Sequence, residues 1–120
     1  MVDYLVVGLG LAGMAFCEIL EENGRSFICI NDDSQQASVV AGGLYNPVIL
    51  KRFTPAWMAL EQMELAIPFY ARLEEKLQTP LDHKLRVLRR FTSIEEQNNW
   101  FQAADRPLLQ PFLSLNLLDN

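Results

Sequence analysis

The sequence predicts an α/β fold built on a parallel β-α-β unit, and three observations carry that prediction. A glycine triplet, Gly8, Gly10 and Gly13, directly follows a short apolar run. Residues 11–23 then hold a helical apolar pattern, closed by Gly24. A second apolar run, Phe27 to Ile30, ends in Asn31, Asp32 and Asp33. Strand, helix and strand within about thirty residues call for a right-handed crossover between parallel neighbours.

Each element has a local reason. Residues 3–7 read as a buried parallel strand, because continuous Val and Leu leave no polar face. In the helix, Leu11, Met14, Ala15, Cys17, Ile19 and Leu20 are expected toward the sheet. Phe27 to Ile30 is the second strand. Residues 34–47 read as a polar-to-glycine loop, and Val39, Val40 and Leu44 within it and Val48, Ile49 and Leu50 after it predict a buried path rather than an exposed linker.

Thr54 and Pro55 read as the cap and first turn of a helix. Met58, Leu65, Phe69, Leu73 and Leu77 supply its apolar stripe, and Pro68 predicts a kink or two helices meeting near Ile67. Pro80 ends the segment. Residues 84–91 read as a strand, and Ser93 with Glu96 forms a capping box opening a short helix that carries Trp100 and Phe101. The leucine-rich tail is interrupted by proline and reads as irregular. Its Leu108, Leu109, Phe112, Leu113, Leu115, Leu117 and Leu118 have no partner evident in the sequence.

Composition bounds the function. The chain has 120 residues, half of them apolar, and a formal charge of −5. That suits a small domain with one core and predicts no general attraction to nucleic acid or anionic membrane. No apolar run approaches the ~20 residues of a membrane span. The start lacks a signal-peptide pattern, so a cytoplasmic location is expected. Cys17 and Cys29 lack metal-binding spacing and the only histidine is His83, so both read as small buried residues, one on a helix and one in a strand. The basic cluster Lys84, Arg86, Arg89 and Arg90 has no interleaved aromatics and reads as a solvated strand face.

The glycine triplet points to chemistry. Gly8 makes the tight turn out of the strand, Gly10 admits a pyrophosphate to the backbone, and Gly13 lets helix and strand pack closely. The N–H groups of Leu11, Ala12 and Gly13 open the helix, where free donors and the dipole favour phosphate. Where the motif calls for an acid on the ribose, the sequence has Asn31, with Asp32 one residue later. Asp32 is favoured because its bond would be charge-assisted. Asp32 and Asp33, with no arginine beside them, would repel a 2′-phosphate and so disfavour NADP.

The stretch ASVVAGGLYNP, with Ala37, Ser38, Ala41, Gly42, Gly43, Leu44 and Pro47, resembles the loop after the second strand in the D-amino-acid oxidase family of FAD-dependent oxidoreductases. The resemblance implies an incomplete Rossmann-like FAD/NAD(P)-binding fold with part of a second, α+β substrate domain. It assigns residues 1–56 to the FAD-binding unit and flavin-contact loop, and 57–120 to a helical segment and the start of the substrate domain. Tyr45 and Asn46 would fall near the flavin. It further implies FAD as cofactor, a small-molecule amine or amino acid as substrate, and oxidation of a C–N bond. The chain departs from the family at Asn31, where glutamate is usual. It corresponds to the N-terminal third of such enzymes, so no catalytic residue can be named and the fragment alone is expected to be inactive. Self-association is expected as well, because two strands leave apolar surface open. The rivals are an NAD-binding dehydrogenase fragment and a non-catalytic truncated module.

Overall fold

Parallel pairing of two short strands organises the N-terminal part of the chain. In the computed structural model, which describes residues 1–32, 37–85 and 87–117, β1 (Tyr4–Val7) is followed by α1 (Leu11–Glu22) and β2 (Phe27–Ile30). Tyr4 lies opposite Phe27 and Val7 opposite Ile30. A short helix, α2 (Ala37–Val40), follows. The remainder comprises β3 (Val48–Ile49), β4 (Thr54–Pro55), α3 (Ala59–Leu77) and α4 (Ile94–Ala104). Among the described residues this is a small mixed α/β chain of four helices and two two-stranded sheets. It divides into two compact units, Met1–Tyr45 and Asn46–Asn120.

In the first unit, alternation decides burial. Val6 is buried, and Phe27 and Cys29 are half-buried on the same side. Leu5, Val7, Ile28 and Ile30 point the other way and are exposed, Val7 to 75%. The expectation of a fully buried strand is therefore corrected, because successive side chains alternate faces and α1 can cover only one. Within α1 the buried contact is Leu20, with Met14, Ala15 and Cys17 half-buried; Leu11 and Ile19 are exposed rather than sheet-facing. A polar clasp closes the amino-terminal end of the strands. Ser26 donates from N–H and Oγ to Asp3 Oδ2 at 2.9 and 2.8 Å, and the Asp3 N–H donates back to the Ser26 carbonyl at 3.0 Å. The two Ser26 bonds to the carboxylate favour its charged form and lower the Asp3 pKa.

The second unit opens with a hairpin. Val48 faces Pro55 and Ile49 faces Thr54 in antiparallel register. Thr54 and Pro55 thus form a strand, and the helix begins only at Ala59, behind a left-handed Met58. Proline is tolerated there because a two-residue edge strand loses little by lacking one donor. Helix α3 runs through Pro68 as one helix rather than two. Its buried side follows Ala59, Met63, Ala66, Tyr70 and Leu73, while Leu65 and Leu77 are exposed. Leu73 and the half-buried Phe69 of the expected stripe are packed, whereas Met58, Leu65 and Leu77 are exposed and Ala59 and Ala66 complete the covered face.

Residues 84–91 form no strand among the described positions, and Leu85, Val87 and Leu88 are exposed. Side-chain bonding takes precedence over a ladder. Arg89 donates from Nε and Nη2 to Glu96 Oε1 at 3.0 and 2.5 Å, and Thr92 donates from N–H and Oγ to Glu96 Oε2, both at 2.8 Å. Only half of the capping box forms. The Glu96 N–H donates to Ser93 Oγ at 3.1 Å, but the Glu96 carboxylate turns to Thr92 instead of the Ser93 N–H.

The tail is partly packed, against the expectation. Leu109 and Leu113 join Val48, Ala103 and Ala104 in the core, with Leu50, Phe53, Trp100 and Phe112 against it. Trp100 Nε1 donates to the Ser114 carbonyl at 2.9 Å, and its ring meets Phe53 and Phe91 edge-on. Leu108, Leu115 and Leu117 remain exposed, and Leu118 lies outside the described residues. No helix among the described residues is long and apolar enough to cross a membrane.

Candidate functional site

Three glycines shape the turn between β1 and α1, each by a different physical constraint. Gly8 has φ +91°, a region that side-chain-bearing residues rarely adopt, and its N–H donates to the Ile30 carbonyl at 2.8 Å. The turn therefore leaves β1 while still joined to the end of β2. At Gly13 a Cβ would lie 2.0 Å from the Gly8 carbonyl oxygen, so only glycine lets α1 sit this close to the strand. Gly10 differs from both. It is extended, it stands at the N-cap of α1, and a Cβ there would meet nothing within 4 Å. The space over Gly10 is available to a ligand.

The helix that starts here offers donors without competitors. The first intrahelical bond runs from the Met14 N–H to the Gly10 carbonyl at 2.9 Å, so Leu11, Ala12 and Gly13 precede the repeating ladder. Gly10 supplies no side-chain cap, and the first turn holds no acidic residue. Twelve residues of helix point their positive dipole end at this turn. An anion of the size of a phosphate would be held by backbone N–H groups and the dipole together.

Asn31, just past β2, has a role that the sequence reading does not contain. Its Oδ1 accepts the Leu9 N–H at 2.9 Å, across a separation of 22 residues. The side chain thus anchors the glycine turn from the end of the neighbouring strand. Asp32 follows directly and is exposed. The signal for Leu9 was an amide at the position where the motif calls for an acid. An asparagine there can still accept a bond from the turn, but it brings no charge.

Gly8, Gly10, Leu11, Ala12, Gly13 and Asn31 are thus brought together at the carboxyl ends of two parallel strands, with Asp32 next in the chain. Ser38 lies on α2, and Ala41, Gly42, Gly43 and Leu44 lie on the exposed stretch after it. Gly43 has φ +69°. Asp33 is among residues 33–36, which lie outside the described residues. The apolar side chains of this segment are not packed as expected: Val39 and Val40 are 76% and 83% exposed, and Leu44 is exposed too. Val48 is buried and Leu50 half-buried, both in the second unit. Asn46 Oδ1 accepts the Val48 N–H at 3.0 Å, a local turn bond. Lys51 and Arg52 form the exposed hairpin turn of the second unit.

Of the basic cluster, Arg89 is committed to Glu96 and Lys84 is paired with Asp82, while Arg86 lies outside the described residues. Among the described residues no group of three or more His, Cys, Asp or Glu side chains could hold a metal ion. No family model matches the chain, and no solved structure matches it.

Proposed function

We propose that Met1–Tyr45 is the adenosine-diphosphate-binding part of an incomplete Rossmann-like unit, and that the chain is the FAD-binding portion of an oxidoreductase. The observation that carries this reading is the turn itself. Gly8 and Gly13 are fixed by the backbone, while Gly10 is left open beneath an uncapped helix N-terminus. A structural turn needs the first two constraints but has no use for the third. The residues fit a dinucleotide's pyrophosphate end: N–H groups of Leu11 and Ala12 to a phosphate, and Asp32 to a ribose hydroxyl.

The choice of FAD over NAD rests on the sequence of residues 37–47, with Ser38, Ala41, Gly42, Gly43 and Leu44 as the backbone-approach segment. Small residues suit a close approach of the chain to a flat ring system. The substrate class in this reading is a small-molecule amine or amino acid, and the setting is the cytoplasm. Bound FAD would supply acceptance of a hydride from a C–N carbon. The residues of this chain bind and orient the cofactor; the turn keeps its donors in place through the Asn31–Leu9 bond.

The test is a titration of the 120-residue chain with FAD, followed by flavin fluorescence, with NAD as competitor. FAD binding that is lost in Gly10→Val supports the assignment. Equal FAD binding by Gly10→Val would remove the turn from the site. NAD binding without FAD binding would replace the oxidase by a dehydrogenase reading.

A further inference from the structure

Cys17 and Cys29 take no part in the dinucleotide reading, yet the fold brings them into contact. Cys17 lies on α1 and Cys29 on β2, where Cys29 pairs in register with the buried Val6. Their Sγ atoms are 3.3 Å apart across twelve positions of sequence, and both are half-buried. They are the chain's only two cysteines. Two thiols placed side by side between a helix and a strand, in no metal-binding cluster among the described residues, are set up for thiol–disulfide exchange.

We propose that Cys17 and Cys29 are a redox-convertible dithiol that closes into an intramolecular disulfide, pinning α1 to β2, with a low-molecular-weight disulfide as oxidant. One cysteine, as its thiolate, attacks a sulfur of oxidised glutathione. A protein–glutathione mixed disulfide forms, and one glutathione leaves as a thiolate that takes up the proton. The second cysteine then loses its proton and attacks the first cysteine's sulfur, expelling the second glutathione. Two electrons leave the protein thiols, and one oxidised glutathione becomes two reduced ones.

Geometry favours the second step. The sulfurs need to close by about 1.3 Å to reach bonding length, a displacement within the reach of side-chain rotation. Partial burial and the neighbouring Cys29 push the Cys17 thiol up, so the thiolate that starts the exchange is scarce at neutral pH and the first step is slow. The closed loop would contain the Gly24 turn and part of α1, so the bridge constrains the unfolded chain and stabilises the unit below the glycine turn. This holds whether the turn binds FAD, NAD or nothing.

The experiment is incubation of the ligand-free 120-residue chain with oxidised glutathione, followed by intact mass, thiol titration and thermal unfolding. The expected product is a single covalent chain lighter by two hydrogens, with no titratable thiol and a midpoint raised by more than about 5 °C, reversed by dithiothreitol. Cys29→Ser should instead stop at a glutathione adduct, with no rise in midpoint. Glutathione retained on both cysteines of the unaltered chain, a bridge between two chains, or thiols left unreacted would each overturn the proposal.

Discussion

Among the described residues, Met1–Tyr45 buries only Val6 and Leu20, whereas Asn46–Asn120 closes a core around Val48, Ala103, Ala104, Leu109 and Leu113. The first unit takes its shape from backbone constraints: a positive φ at Gly8, a close approach at Gly13, and polar clasps at Asp3–Ser26 and Leu9–Asn31. The second takes its shape from burial. Its helix α4 is capped by Ser93 and bonded to the tail through Trp100 and Ser114, but Leu109 and Leu113 are held mainly by the apolar side chains they cover. The difference teaches where each unit is vulnerable. Glycine and polar substitutions should break the first, and cavities should break the second.

The largest effect should come from Gly13→Ala. A Cβ 2.0 Å from the Gly8 carbonyl oxygen forces α1 away from β1, and the expected loss is about 3 kcal/mol or more. Gly10→Val, three residues earlier, should cost no more than about 1 kcal/mol of stability, the scale of a poorer N-cap. Chemical denaturation of the two variants measures the contrast, and equal losses would mean that the turn is not organised as described.

Leu109→Ala should cost about 2–5 kcal/mol, because Leu109 is only 1% exposed and its removal leaves a cavity beside Ala103 and Ala104. The effect should appear as faster amide exchange along α4. A change below about 1 kcal/mol would show that the tail merely lies against the unit.

Ligand binding sharpens the comparison inside the first unit. Asp32→Ala should weaken FAD by about 1.5–3 kcal/mol, the range for a bond to a charged group, and Asn31→Ala by less. The two should separate further in the ligand-free chain. Asn31→Ala should expose the Leu9 amide to exchange, and Asp32→Ala should leave it protected. The reverse order in the titration would move the ribose contact to Asn31.

Acid should act on both units, with the better-defined window in the second. The Thr92 N–H and hydroxyl, with Arg89, hold the Glu96 carboxyl down at about 2, from an ordinary 4.5. A depressed folded value means that the stabilisation is complete above 4.5 and is lost as the pH falls toward about 2. Glu96→Gln should flatten that part of the stability profile. Asp3, held below its ordinary 3.8 by Ser26, should add a loss of the same sign in the first unit as the pH falls below 3.8. An unchanged profile for Glu96→Gln would place acid sensitivity elsewhere.

The smallest effect per chain concerns association. The outer face of Leu5, Val7, Ile28 and Ile30, on a sheet whose strands are both edges, is expected to draw two copies of the chain together. Sedimentation should show self-association that Val7→Lys diminishes. A stable monomer at high concentration would exclude it.

By itself the sequence determined what depends on neighbouring residues along the chain. Both strands of the first unit, the helix between them and the glycine turn were legible, because periodicity, proline and glycine act within a few positions. The Ser93 cap was legible for the same reason. Which surface each element buries was decided only when distant segments met. The strands' apolar residues split into a covered and an open face because one helix covers one side. The alanine face of α3, Thr54 and Pro55 as a strand, and Leu109 and Leu113 in the core all depend on partners remote in sequence. So do the Asn31–Leu9 bond and the Cys17–Cys29 contact. Burial and long-range hydrogen bonds are properties of pairs of surfaces, and no window of sequence contains both members of the pair.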